Sequence, residues 1–323
     1  MKNLIKYVQD INFQKKMWQS DEKVVVGVSG GPDSMCLVDI LQKISQKANL
    51  TIIIAHVNYG LRGDDSLADE QLVKKYAKKY NIICEVLVCG DNIAKGGENL
   101  WRNIRYDFFK KIVTKYEANK IAIAHTKNDQ AETVLGHLIR GSGLQGLSGM
   151  RQKSDNNIIR PLLTILRDDV LKYCNDYNIL YNIDKTNKNT VFVRNKLREE
   201  LIPELIHSYN PNIIDVLANT AMIIADDQNF LEIVQQKFWR VESINNSIIF
   251  SASKFLSKHP SQQRLALRTI IQQIRGNLVD IEIGFIEELR KTIASVKNKN
   301  QVVNMKNLKM MKNNDTVRFV KLG

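Results

Sequence analysis

The stretch Val24-Val25-Val26-Gly27-Val28-Ser29-Gly30-Gly31-Pro32-Asp33-Ser34 runs from an unbroken apolar segment into a turn of small residues. Met35-Cys36-Leu37-Val38-Asp39-Ile40-Leu41 follows with helical spacing. A buried strand, a turn with two glycines and a helix start together form a phosphate-binding arrangement. Glycine lets the backbone approach an anion, and the first N–H groups of the helix point at it. Asp33 adds a carboxylate where the metal of a nucleotide sits. The turn SGGPDS lacks the lysine of the kinase and ATPase loop and the G-x-G-x-x-G spacing of dinucleotide-binding turns.

Outward from this turn, strand and helix signals alternate. Strands are expected at residues 24–29, 51–57, 82–89 and 120–125, with helices at 34–46, 66–80, 99–116 and 129–140 between and after them. Continuous apolar strands separated by amphipathic helices predict a parallel sheet covered on both faces, an α/β fold. In such sheets ligands bind beyond the carboxyl ends of the strands, where SGGPDS, His56 and His125 all fall. A glycine-rich turn, 141–149, leads to Arg160-Pro161-Leu162-Leu163, a helix near 167–177 and the loop 182–195. Helices interrupted near Tyr209-Asn210-Pro211 follow, then helices at 261–275 and 283–295 and short strands at 301–305 and 316–320. The expected division is a catalytic domain, 1–210, and a smaller, mainly helical domain, 211–323.

The chain has 323 residues, 44% hydrophobic and 25% charged, which describes an ordinary globular protein with room for two cores. Its formal charge of +13 points to a polyanionic partner, nucleic acid before membrane. A lysine-rich solubilising surface is the other reading of the same charge. The first eighteen residues lack the continuous apolar core of a signal peptide, and no run is long enough to span a bilayer. Cys36, Cys84, Cys89 and Cys174 form no C-x-x-C pair and no His-Cys cluster. That spacing predicts a reducing, cytoplasmic setting, with neither zinc nor an iron–sulfur cluster.

SGGPDS resembles the pyrophosphate (PP) loop of the N-type ATP pyrophosphatases, which cleave ATP between the α and β phosphates and adenylate a carbonyl oxygen. Further stretches resemble one family among them, the tRNA(Ile)-lysidine synthetases. His56-Val57-Asn58-Tyr59-Gly60-Leu61-Arg62 looks like their HVDHGLR segment. Ala124-His125-Thr126-Lys127-Asn128-Asp129-Gln130-Ala131-Glu132-Thr133 looks like their AHHxxDQAET, running into Leu138-Ile139-Arg140-Gly141-Ser142-Gly143-Leu144. Arg102-Asn103-Ile104-Arg105-Tyr106 matches RxxRY, and Arg160-Pro161-Leu162, Asp184, Asn187, Arg194-Asn195 and Arg198 fit later motifs. The matches extend over roughly residues 24–205. Asn58 and Tyr59 depart from the family's Asp-His, and Thr126 from a frequent second His.

The resemblance implies an adenine nucleotide alpha hydrolase-like fold and an ATP-dependent ligase. Its substrates would be ATP, free L-lysine and an isoleucine tRNA with a CAU anticodon. It further implies that Ser29, Gly30, Gly31, Pro32, Asp33, Ser34 and His56 bind ATP. Asp33, Asp129 and His125 would be catalytic, with Asp33 and Asp129 holding Mg²⁺. Arg62, Arg102, Arg105, Glu132, Arg140, Arg194, Asn195 and Arg198 would meet the tRNA and lysine.

Read without the family, several of these residues keep a second role. His125 fits the cap of a strand end, Asp129 fits a helix N-cap with Glu132 in the first turn, and Arg102 with Arg105 fits a solvated pair on one helix face. Trp101 and Trp239 fit a core. The other readings of the whole chain are a tRNA thiolase, disfavoured by the missing cysteine pair, and a basic tRNA-binding protein with a decayed ATP site.

Overall fold

A computed structural model describes residues 3–90, 97–154, 156–183, 193–238, 242–244, 247–278, 280–297, 300–305 and 307–322. The chain divides into two compact units, Met1–Ala225 and Asp226–Gly323. Asp184, Asn187 and Trp239 lie outside the described residues.

The first unit alternates α1 (Leu4–Lys15), β1 (Lys23–Gly27), α2 (Pro32–Ala48), β2 (Thr51–Asn58), α3 (Asp64–Lys79), β3 (Ile83–Val88), α4 (Gly97–Tyr116) and β4 (Lys120–Ala122). It continues with α5 (Lys127–Ile139), α6 (Leu144–Leu147), β5 (Ile158–Ile159), α7 (Arg167–Asp176), α8 (Val193–Lys196), a π-helical stretch Leu197–Leu201 and α9 (Ile202–Ser208). The long helix α10 (Ile213–Phe238) crosses from one unit into the other. The expected break near Asn210–Pro211 precedes this helix, and the units divide within it.

All five strands are parallel, in the order β3-β2-β1-β4-β5. Alternate residues of β1, β2, β4 and β5 enter two cores. Val24, Val26, Ile52, Ile54, Ala122 and Ile159 pack with residues of α1, α2, α3 and α7. Val25, Ile53, Ile121, Ile123 and Ile158 pack with Phe109 and Ile112 of α4. Both faces of the sheet are therefore buried, the condition that parallel strands require. The deepest side chains of α4 are Phe109 and Ile112, while Leu100 near its start is exposed. The close contact is at Gly27, where an added Cβ would lie 2.6 Å from Cζ of Phe109.

The chain order reverses at β1: β2 and β3 lie to one side of it, β4 and β5 to the other. The crevice between the carboxyl ends of β1 and β4 is thus the topological switch point, the general ligand site of such sheets. Asp39 of α2, about two turns into the helix that follows the loop, is fully buried. It accepts hydrogen bonds from Tyr76 (3.1 Å) and Tyr173 (2.7 Å) and pairs with Lys43 at 2.7 Å. One carboxylate so ties α2, α3 and α7 together behind the loop.

The second unit holds β6 (Glu242–Ile244), β7 (Ser247–Ser251), α11 (Ala252–Leu256), α12 (Pro260–Arg275), α13 (Ile283–Ala294), β8 (Gln301–Met305), β9 (Leu308–Asn313) and β10 (Thr316–Lys321). The two strands expected here belong to a five-stranded antiparallel sheet of order β6-β7-β10-β9-β8. Phe255, Leu267, Ile271, Ile286 and Leu289 of its helices pack against Val317, Phe319 and Met310. No helix among the described residues is long and apolar enough to cross a membrane.

Replacing Tyr173 by Phe leaves Asp39 one donor short in a site water does not reach. The expected cost is about 2 kcal/mol, the worth of a hydrogen bond to a charged group, read as a lower midpoint of urea unfolding at unchanged slope.

Candidate active site

The loop after β1 is held in shape by its own serines. Ser34 Oγ donates to the Gly31 carbonyl at 2.9 Å and accepts from the Ser29 backbone N–H at 3.1 Å. Gly31 is the N-cap of α2 and Pro32 follows at its first position, so the free N–H groups of that helix open toward the crevice. Gly30 has φ +92, and a Cβ there would meet Asp69 Oδ1 at 2.9 Å. A side chain at Gly30 is excluded twice, by the backbone conformation and by Asp69.

Asp69 also accepts from Arg62 Nη2 (2.6 Å) and Asn182 Nδ2 (2.8 Å), and the Asn182 N–H donates to the Gly30 carbonyl at 3.0 Å. Arg62 is thereby engaged beneath the loop by a carboxylate. Asp69 and Asn182 carry no local signal in the sequence, since each is a polar residue whose partner lies far along the chain.

Asp33 stands in the first turn of α2. Its Oδ2 lies 4.0 Å from Nε of Arg167, and its Oδ1 is buried with no hydrogen-bond partner among the described residues. Burial pushes its carboxyl up to about 6; Arg167 opposes this, Asp129 adds to it, Arg198 opposes and Glu132 adds. His56 lies in β2, two residues before its end, where its Nδ1 meets the Val28 carbonyl at 2.8 Å and its Nε2 is buried without a partner among the described residues. Burial holds this histidine below its ordinary value, so it is neutral.

Across the crevice, Thr126 rather than Asp129 caps α5. Its hydroxyl accepts from the Asp129 N–H, and the Asp129 carboxylate returns a bond to the Thr126 N–H at 2.8 Å, a capping box. The β-branched hydroxyl at position 126 therefore has a structural task that a histidine would not perform in the same way. Asp129 and Glu132 lie three apart, hence on one face of α5.

That face meets the arginines of the segment 193–201. Arg194 donates to Glu132 Oε2 (2.8 Å) and Asp129 Oδ1 (2.7 Å). Arg198 donates to Glu132 Oε1 (2.5 Å) and Oε2 (3.0 Å) and to Asp129 Oδ1 (3.2 Å). Glu132 is 2% exposed, so the carboxylate side of this network is buried, while Arg194 and Arg198 remain partly open to solvent. Leu135, Leu197 and Ile202 form a small apolar core beside it. Burial works to raise Asp129, but Arg194, His125, the Thr126 N–H and Arg198 hold it below the usual carboxylate range. The two aspartates of the crevice are pushed in opposite directions.

His125, beyond the end of β4, is half-buried and accepts from Nε of Arg160 at 3.1 Å. Burial pushes it well below its ordinary value, with Asp129 opposing and Arg160, Arg194 and Arg105 adding. Arg102 is exposed and Arg105 half-buried; their guanidiniums lie 5.1 and 5.8 Å from the Tyr106 ring centroid. The Nε of Arg105 is buried without a partner among the described residues. Tyr59 donates to the Trp101 carbonyl of α4 at 2.9 Å and Asn58 to Glu70 of α3 at 2.8 Å, so these two departures from the family pattern tie the end of β2 to both helices. Arg140, the C-cap of α5, is exposed at the far end of that helix. Asn195 lies between the two network arginines.

The loop, Asp33, Asp129, Glu132, Arg194, Arg198 and Arg167 thus form one electrostatically linked site, with His125 on its border. Among the described residues no group of three or more His, Cys, Asp or Glu side chains is arranged to hold a metal ion. The donor set fits a cation carried on nucleotide phosphates, which needs only one or two protein carboxylates. The buried, unpartnered Oδ1 of Asp33 is such a donor.

A family model described as a PP-loop domain matches residues 3–205. The tRNA(Ile)-lysidine synthase of Clostridium tetani (strain Massachusetts / E88) is 37% identical over 281 residues, 84% of this chain and 60% of that protein. The enzymes of the same name from Clostridium acetobutylicum and Clostridioides difficile (strain 630) are 36% and 35% identical, over 81% and 84% of this chain and 59% and 60% of theirs. The chain thus spans about 60% of the length of these curated relatives. Among solved structures, the U34-tRNA thiolase NcsA from Methanococcus maripaludis superposes with a TM-score of 0.58 at 18% identity, covering 70% of this chain and 78% of that one. That likeness shows the fold, of the adenine nucleotide alpha hydrolase kind.

Glu132→Gln removes one charge from the buried network and leaves two guanidiniums undercompensated. The expected loss is about 3 kcal/mol or more, measured by chemical unfolding of the whole chain.

Proposed function

Because the chain belongs to the PP-loop domain family, we propose that it is an ATP-dependent ligase that joins free lysine to the wobble cytidine of an isoleucine tRNA bearing CAU. In the first step, O2 of the cytosine attacks the α-phosphate of ATP and pyrophosphate leaves. In the second, the ε-amine of lysine attacks C2 and expels AMP. The product base, lysidine, pairs with A in place of G, which moves codon reading from AUG to AUA and charging from methionine to isoleucine. The observation that carries this reading is the SGGPDS loop at the switch point of a chain whose relatives of 35–37% identity are lysidine synthases.

The residues divide the work by their chemistry. The backbone of Ser29, Gly30 and Gly31 and the first N–H groups of α2 would cradle the β and γ phosphates, with Ser34 keeping the loop closed. His56 would bound the nucleotide side. Asp33 would hold Mg²⁺, with Asp129 as the second carboxylate, and the bound ion would neutralise charge building on pyrophosphate. Arg194 and Arg198, next to these carboxylates, would exchange a carboxylate for a phosphate or for the carboxylate of lysine. Arg102, Arg105 and the neighbouring Tyr106 offer cationic and aromatic surface to a cytosine lifted from the anticodon loop, where leaving the stack costs little. Arg62 would act from beneath the loop through Asp69, and Arg140 with Asn195 would meet the tRNA backbone. The basic second unit would hold the rest of the tRNA.

The test is incubation with ATP, labelled lysine and a CAU-bearing isoleucine tRNA transcript. Label should enter the tRNA with stoichiometric release of AMP and pyrophosphate; ATP cleavage with no lysine in the tRNA would sink the proposal. Asp33→Asn should reduce tRNA-dependent pyrophosphate release by at least about 10²-fold, the scale of losing a preorganised electrostatic contact. Its tRNA affinity, read by filter binding, should stay within about twofold of the parent, since a phosphate-loop carboxylate adds nothing to backbone binding.

A further inference from the structure

Arg160 is 6% exposed yet has no role in the reaction sketched above. Its place follows from strand periodicity. Ile121 and Ile123 of the β4 segment and Ile158 of β5 face α4, so two residues further His125 and Arg160 fall on that same face. Ala122 pairs with Ile159 in register, and the Ile123 N–H donates to the Ile159 carbonyl at 3.0 Å, which sets Arg160 beside Ile123 with His125 the next residue on that face. Pro161 restricts residue 160 to extended backbone. The Arg160 N–H donates to the Gln152 carbonyl at 2.8 Å, and its Nη1 donates to the Arg151 carbonyl at 2.7 Å. With backbone and fork both fixed, Nε has a single direction, toward Nδ1 of His125 at 3.1 Å.

A guanidinium only donates. Nδ1 of His125 must therefore be the accepting nitrogen, and in a neutral imidazole the proton then resides on the other one. We propose that Arg160 is a positioning residue that fixes His125 in its Nε2–H tautomer, so that the ring meets the crevice as a hydrogen-bond donor to a phosphoryl oxygen. A histidine with a lone pair facing the crevice would repel that oxygen. A charged ring next to Arg160 would bring two cations together. Arg160 selects the one form that is neutral and donating. The use of that N–H on a phosphate rests on the proposed ATP chemistry; the tautomer itself does not.

The experiment is two-bond ¹⁵N–¹H correlation on histidine-labelled protein, with His125 assigned through His125→Gln. In the parent, His125 should show a pyridine-type Nδ1 and a pyrrole-type Nε2. In Arg160→Gln both tautomers should be populated while the His56 signals stay in place, reporting an intact fold. Lysine- and tRNA-dependent ATP cleavage by Arg160→Gln should fall about 10²-fold, the loss expected on misaligning one donor. A parent ring protonated on Nδ1 overturns the proposal, even should Arg160→Gln fail to fold. A single Nε2–H form persisting in Arg160→Gln overturns it as well. The expected tautomers in a protein that transfers no lysine would leave Arg160 in its role and remove only the substrate reading.

Discussion

The site depends on charge withdrawn from water and compensated in place. Asp129 and Glu132 project from one face of α5, and five donor contacts from Arg194 and Arg198 meet them. A buried carboxylate without partners is costly, so Asp129 and Glu132 depend on the two partly exposed arginines. The network therefore fixes the segment 193–201 against α5 and with it the wall of the crevice opposite the phosphate loop. A bidentate arginine is also the group best suited to trade one oxyanion for another of like geometry. The contacts that close the site are thus of the same kind as those a phosphate or a lysine carboxylate would make.

The phosphate loop is constrained from below in a similar way. Gly30 takes a left-handed backbone under Asp69, and Asp69 is itself held by Arg62 and Asn182. Behind it, Asp39 joins three helices through two tyrosines and a lysine. Rigid support on both sides leaves the backbone N–H groups of the loop preorganised for an anion, which is where electrostatic catalysis gains most.

Much of this was legible in the sequence where the signal is local. The apolar run before SGGPDS and the alternation of continuous apolar strands with amphipathic helices are local signals, and the parallel sheet bears them out. The pairs that shape the site are not local. Arg194 lies 62 residues from Glu132, Asn182 lies 113 from Asp69, and Arg160 lies 35 from His125. No spacing rule reaches across such distances, so Asp69, Asn182 and Arg167 carried no signal as site residues, and Arg160 was visible only as part of the Arg160-Pro161-Leu162 motif, without its partner. The cap of α5 shows the same limit on a smaller scale: the sequence pattern puts Asp129 at the N-cap, whereas the cap lies three residues earlier, at Thr126, with Asp129 closing the capping box. In the second unit the two strands read from the sequence needed three partners to become a sheet.

The central claim is that this crevice activates a cytosine oxygen on the α-phosphate of ATP. The most direct measurement follows that oxygen. A CAU-bearing isoleucine tRNA carrying ¹⁸O at O2 of the wobble cytosine is converted with ATP and lysine, and the AMP released is analysed by mass spectrometry. The account predicts one ¹⁸O in the phosphate of AMP for each lysine transferred. AMP free of the label, with ¹⁸O kept in the tRNA or lost to water, would contradict it.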